Sequence, residues 1–376
     1  MEKKSIEGIQ SYSLIPKFAK RKKEVTVLMK KLLLFLLSAI LMVSLLAGCG
    51  SGNSNNQSQQ QQGSQQTASN KDKKYKIVVM PKLVGIPYFN ASEQGAKKAG
   101  QDLGVEVIYT GPTKADSAEQ VKMIEDLITQ GVDAIAVAPN DPAALTPVLK
   151  KAKDKGILVV DWDTPADKSV VDLSIHQIDD KEYGEHIWDL LVQSMGTDNA
   201  EYAIITGGLS AANLNSWINY GLEYAKNKYP NLKLVTDKIP SDEKQQVAYQ
   251  KALELIKAYP NLKGIIGIST PAPIGAAQAV QEKGLQDKVS VVGTALPNDS
   301  KAYLKDGSLD VATLWEPAKL GYLTVALIKD MLDGKQPTEG QEVPNVGKIQ
   351  VKSDGKTVIM GPPTDFTKDN VDQFNF

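Results

Sequence analysis

Cysteine is nearly absent. One of the 376 residues is a cysteine, Cys49, so neither a disulfide framework nor a thiolate metal cluster is available. Histidine is almost as scarce: His176 and His186 are too few for a histidine-ligated metal site, and both are expected to be structural. An excess of one charge is also lacking. Lys and Arg number 43 against 44 Asp and Glu, and a net charge of −1 offers no field for nucleic acid. No nucleophile–base pair stands out either, since there is no second cysteine, no Gly-x-Ser-x-Gly elbow and no acid pair whose setting argues for altered protonation. The Gly207-Gly208 loop is a weak phosphate candidate, lacking both the Walker lysine and the full dinucleotide pattern. These absences leave binding without chemistry as the expected activity, with no metal and no cofactor.

The N-terminal region reads as an export signal. Met29-Lys30-Lys31 is followed by an apolar run over 32–46, the charged start and hydrophobic stretch of a secretory leader, which makes Met29 the expected true start. The run ends in Leu46-Ala47-Gly48-Cys49, which resembles a bacterial lipobox, and as a membrane span it would lie near the lower length limit. Residues 1–48 are therefore expected to be a signal peptide and Cys49 the lipidated N-terminus. From 50 to 74 the composition turns to Ser, Asn, Gln and Gly, a flexible linker unable to build a core. Together these features imply a lipid anchor on the outer face of the cytoplasmic membrane.

From residue 75 onward the chain alternates strand and helix. Residues 77–80 form an unbroken apolar run, the pattern of a strand covered on both faces, and lead into a Pro/Gly loop carrying Lys82, Tyr88 and Phe89. Phe89, Ser92, Ala96, Ala99 and Leu103 then recur at helical spacing up to Gly104. Further strands are expected at 105–109, 134–137, 157–161 and 170–174, with a helix over 118–130 that Ser117 and Gln120 would open as a capping box. The second half repeats the plan, with strands at 202–205, 232–239, 264–268, 289–292 and 311–315. A helix over 319–331 follows, and then a hairpin around Asp354-Gly355 that sets Ile349 and Val351 against Val358 and Met360. The fold class is α/β: two Rossmann-like lobes, each a parallel sheet flanked by helices, with a cleft between them as the usual place for a small-molecule site.

Several stretches carry a more specific likeness: Pro81-Lys82-Leu83-Val84-Gly85, Tyr88-Phe89, Gly111-Pro112-Thr113, Trp162-Asp163, Leu314-Trp315 and the closing Phe366-Thr367-Lys368-Asp369-Asn370-Val371-Asp372. Over 75–376 the chain resembles type 1 periplasmic-binding-protein solute receptors of the ribose-binding superfamily, and within it the autoinducer-2-binding and rhamnose-binding proteins of ABC importers. The resemblance implies three crossings between lobes, near 177–180, 315–317 and 342–346. The first lobe would then comprise 75–178 plus 316–343, and the second 179–315 plus 344–376.

The resemblance also implies a ligand site. Asp163 falls on the family's ligand-gripping aspartate, Lys82 on the lysine of autoinducer-2 receptors, and Tyr88 and Phe89 on the aromatic pair that packs against ligand. In the second lobe Asn213 and Leu214 stand where autoinducer-2 receptors have Asp-Gln, and Ile268 and Thr270 where they have proline and alanine. Thr164 replaces the arginine that follows the aspartate in ribose receptors, and Trp315 replaces their hinge glutamine. Lys82, Tyr88, Asp163, Asn213, Thr270 and Trp315 include no arginine, so a phosphate or carboxylate would lack bidentate recognition and the ligand should be neutral and rich in hydroxyls. Leu214 and Ile268 would suit the methyl group of a deoxyhexose such as rhamnose, with autoinducer-2 the alternative. The implied partners are this ligand, the permease subunits of an ABC importer and, through the anchor, the membrane, with the protein acting as a monomer. The effector domain of a LacI-type repressor shares the two lobes but lacks an export signal. A receptor presenting its ligand to a membrane kinase remains open.

Overall fold

In the computed structural model, residues 74–376 are described; the signal, Cys49 and linker expectations lie outside them. The first sheet is built on β1 (Lys76–Met80), whose Ile77, Val78, Val79 and Met80 are fully buried. Parallel pairing joins it to β2 (Glu106–Tyr109) on one side and β3 (Ala134–Val137) on the other, and the sheet continues through β4 (Leu158–Trp162) and β5 (Leu173–His176). Successive side chains of a strand point to opposite faces, so Ile77 and Val79 join one hydrophobic cluster while Val78 and Met80 join another. Helices covering both faces explain the continuous apolar run.

Three crossover helices belong to this lobe: α1 (Pro87–Leu103), α2 (Ser117–Gln130) and α3 (Pro142–Asp154). The expected capping box on α2 is not formed. Asp116 is the cap, accepting from the backbone N–H groups of Ala118 and Glu119, and Gln120 is fully buried with a different task at the site.

The second sheet has β6 (Glu201–Thr206), β9 (Leu262–Ile268), β10 (Ser290–Thr294) and β11 (Val311–Leu314) as parallel central strands. The expected single strand over 232–239 is two short ones, β7 (Lys233–Leu234) and β8 (Ile239–Pro240). Glu201 pairs with Lys233 but Ile205 with Ile239, so this stretch is longer than its partner by two residues and must bulge between the two contacts. Helices α4 (Asp180–Met195), α5 (Ala212–Lys228), α6 (Gln245–Ala258), α7 (Pro271–Lys283) and α8 (Pro297–Asp306) belong to this lobe. His186 on α4 reaches Asp365 at 2.8 Å on β16 (Thr364–Phe366), which runs antiparallel to β11.

The chain passes from one sheet to the other three times, over 177–179, 315–316 and 360–363. The third crossing corrects the expectation that placed it near 342–346 and assigned everything from 344 to the second lobe. Residues 342–348 form a two-stranded ribbon, β12 (Glu342–Val343) against β13 (Gly347–Lys348), which returns the chain to the first sheet. There β14 (Gln350–Val351) and β15 (Thr357–Ile359) form the expected hairpin, with Val351 opposite Val358, and β15 pairs in parallel with β5. Only after Pro362 and Pro363, which carry no N–H for a ladder, does the chain enter the second sheet.

After β11 the helix α9 (Pro317–Leu332) returns to the first lobe and lies against α1, with Tyr322 Oη donating to Asp102 at 3.3 Å. The two backbones approach closely. A methyl group at Gly95 would stand 1.8 Å from the carbonyl oxygen of Ala318, and one at Gly321 would stand 2.0 Å from that of Ser92. Alanine in a helix is favoured over glycine by roughly 0.5–1 kcal/mol from propensity. Gly95→Ala and Gly321→Ala should nevertheless each destabilise the protein, by about 1–3 kcal/mol of overpacking. Thermal unfolding followed by circular dichroism checks the sign, and a raised midpoint in both variants would show that the helices can move apart freely.

Candidate ligand-binding site

Loops at the carboxyl ends of strands from both sheets converge on one cavity. That is where open parallel sheets hold ligands. All seven expected residues, Lys82, Tyr88, Phe89, Asp163, Asn213, Thr270 and Trp315, line it.

The loop after β1 is braced from behind. Gln120 donates to the carbonyls of Pro81 at 3.1 Å and Ala138 at 2.9 Å and accepts from the Asn140 N–H at 2.9 Å, while Asn140 Nδ2 donates to the Lys82 carbonyl at 2.7 Å. Every polar group of the buried Gln120 is thereby used, and the loops after β1 and β3 become one rigid unit. Lys82 is consequently buried at 4 % exposure. Its ammonium donates to Asn213 Oδ1 at 2.9 Å across the cleft and lies 3.6 Å from Asp163 Oδ2 on its own side.

Asp163 follows β4 with φ of 64°, a left-handed conformation unusual for a residue other than glycine. Tyr88 Oη donates to its Oδ1 at 2.7 Å and Thr164 Oγ1 to its Oδ2 at 2.9 Å, and Trp315 Nε1 donates to Tyr88 Oη at 3.0 Å. Burial, with the Asp163 carboxylate beside it, raises the Tyr88 pKa well above that of an ordinary phenol, so Tyr88 stays a neutral donor. Phe89 packs edge-on to Tyr88 with centroids 5.0 Å apart and to Trp162 at 6.0 Å, serving core and cavity wall together. Trp315 is held edge-to-face by Tyr88, Tyr183 and Trp217 at 6.1, 5.7 and 5.9 Å.

On the second lobe Asn213 sits buried in the first turn of α5, and Leu214 lines the cavity beside it. Ile268 does not: it is fully buried within β9, so the apolar wall expected from Leu214 and Ile268 is made by Leu214 with Ile86, Trp217 and the other aromatics. Thr270, half-buried, opens α7.

Sequence reasoning missed Ile86, Trp217, Glu243, Ser269 and Thr294. Trp217 was within reach, because it lies one helical turn after Asn213. Glu243 carried no signal. It precedes α6 with φ of 57° and is 7 % exposed, and burial raises its pKa while the nearby Lys82 opposes the shift. The Gly207-Gly208 loop is not a free phosphate cradle, since a methyl group at Gly207 would lie 2.1 Å from Glu243 Oε1 and the loop already receives that carboxyl. No arginine occurs in 74–376, and among the described residues no cluster of His, Cys, Asp and Glu could hold a metal ion.

Residues 77–336 match the family described as periplasmic binding protein domain. The chain belongs to the periplasmic binding protein family. A curated relative, the D-allose-binding periplasmic protein of Escherichia coli (strain K12), is 26 % identical over 264 residues, covering 68 % of this chain and 84 % of its own. Among solved structures, LsrB from Clostridium saccharobutylicum in complex with AI-2 aligns with a TM-score of 0.76 at 29 % identity, covering 80 % of this chain and 100 % of that one. A solute-binding protein from Clostridium phytofermentas with bound L-rhamnose aligns with a TM-score of 0.75 at 27 % identity, covering 80 % and 98 %. These neighbours bear out the expected type 1 two-lobe fold and the expected likeness to the autoinducer-2 and rhamnose groups. This periplasmic binding protein is a solute-binding protein and not an enzyme.

Proposed function

We propose that this binding protein captures a small, neutral, hydroxyl-rich sugar or sugar-like ligand between its lobes and delivers it to the permease of an ABC importer, working as a monomer. One observation carries the ligand class. Lys82, Asp163, Asn213 and Thr270 offer donors and acceptors from both lobes around aromatic walls, with no guanidinium in reach for an anionic group. A carboxylate can accept from two neighbouring hydroxyls, and charge-assisted bonds are roughly twice as strong as neutral ones. Relatives named for allose and ribose, and a neighbour holding L-rhamnose, support the sugar reading. Leu214 and Trp217 favour a ligand with an apolar edge such as a deoxyhexose. Autoinducer-2 is the second reading, favoured by the retained Lys82 and Asp163 and by the likeness to an AI-2 complex.

For a micromolar site the binding free energy totals about 8 kcal/mol. Removing one buried charged partner costs roughly 2–5 kcal/mol by analogy with buried interface pairs. Titration calorimetry on Asp163→Ala should therefore show affinity lowered at least tenfold for the neutral sugar that the wild type binds. Unchanged affinity would remove Asp163 from the site. Tight binding of a sugar phosphate, with none of its parent sugar, would overturn the ligand class.

The protein would work on the outer face of the cytoplasmic membrane, held by a lipid on Cys49, the sole cysteine, placed at the end of an apolar signal. Among the described residues no helix is long and apolar enough to cross a membrane. Metabolic labelling with radiolabelled palmitate should mark the wild type and not Cys49→Ala; label retained in the variant would refute the anchor.

A further inference from the structure

The cavity contains a carboxyl group and a hydroxyl that the proposed function does not use. Ser269 Oγ is buried at the cavity wall and makes no hydrogen bond of good geometry within the protein, although the Glu243 carboxyl is close enough for its pKa to feel the hydroxyl. Buried hydroxyls are almost always paired, so one left open on a cavity wall points to a group that arrives from outside. Glu243 itself forms no ion pair among the described residues: Lys82, the cation that faces it, is engaged by Asp163 and Asn213.

The local backbone is shaped to hold this pair. Asp242 and Glu243 take φ of 52° and 57°, and Ser269 takes φ of 130°, three of the five non-glycine residues with positive φ among the described residues. Asp163, on the opposite lobe, is a fourth. Backbone strain of this kind persists where the surroundings hold a side chain in a required place, and it gathers at ligand sites. Gly207 adds to the same end, because any side chain there would collide with the Glu243 carboxyl.

We infer that Glu243 and Ser269 are a second-lobe ligand-binding pair, which grips hydroxyls of the bound sugar opposite Asp163 and makes the cavity reject anionic sugars. The inference rests on the proposed function and assigns its specificity. Two carboxyl groups, one on each lobe, face a single lysine, so a ligand bringing a phosphate or carboxylate would add negative charge with no cation to receive it. A ligand bringing hydroxyl donors to both lobes meets acceptors on both sides and fills the open valence of Ser269.

The test is titration calorimetry on the full chain with L-rhamnose, D-allose and autoinducer-2 as probes, comparing wild type with Glu243→Gln, Ser269→Ala and Gly207→Ala. For whichever probe the wild type binds, Glu243→Gln should lose at least tenfold in affinity. Gly207→Ala, which keeps the carboxyl group but displaces it, should lose a comparable factor, and Ser269→Ala several-fold. The thermal midpoint of Ser269→Ala should not fall, since that variant removes a hydroxyl with no hydrogen-bond partner in the protein. Wild-type affinity in both, with or without a lowered midpoint, would make the pair structural and overturn this inference while the proposed function stands. Tight binding of a sugar phosphate by the wild type, with none of its parent sugar, would remove both.

Discussion

One buried ammonium group ties the two halves of this molecule together. Lys82 comes from the first lobe, neutralises Asp163 on that lobe and donates to Asn213 on the other. Removing one member of a buried pair leaves an uncompensated charge, at a cost of about 3–5 kcal/mol, whereas the intact pair contributes little net stability. The same reasoning limits what the bond to Asn213 can do alone. Opening the cleft returns both groups to water, and a single hydrogen bond is then worth on the order of 1 kcal/mol. The bridge is therefore weak enough for a ligand to decide the balance. Under the proposed function, a solute that satisfied Asp163 on one side and Asn213 on the other would bind the shut form better than the open one, and that difference in affinity would move the lobes.

The scaffold is organised so that Lys82 and Asp163 have little freedom of their own. Gln120 and Asn140 bind the loops after β1 and β3 into one piece, and Trp162, just before Asp163, donates from its indole to the Met80 carbonyl at the end of β1. The first-lobe half of the site is thus a rigid plate. Trp315 stands at the second crossing, donating to Tyr88 on the first lobe while packing against Tyr183 and Trp217 on the second. Movement about the crossings would have to rearrange these ring contacts, which couples the aromatic wall to the state of the cleft.

Much of this was legible from residue patterns. Apolar runs such as 77–80, followed by helical spacing and a closing glycine, can be read because burial on both faces of a parallel strand leaves a plain mark. Lys82, Tyr88 and Asp163 lie directly after such strands, and Asn213 opens a helix, so position along the chain predicted position at the cavity. Ser269 lies directly after β9 and was within reach by the same rule, whereas Glu243 reaches the cavity from a left-handed turn before α6 that no pattern of side chains announces. Gln120 was misread because its spacing from Ser117 suits a cap, while its burial under two loops is decided by tertiary packing. The third crossing was misplaced because the pairing of β15 with β5 joins residues distant in sequence, and short strands there give only weak alternation.

Two lobes that close on a neutral, hydroxyl-rich ligand held from both sides must make the molecule more compact. Small-angle X-ray scattering, with and without a saturating concentration of a sugar shown by calorimetry to bind, tests it most directly. A smaller radius of gyration in the presence of the sugar is the expected result, and the same radius at full saturation would contradict closure.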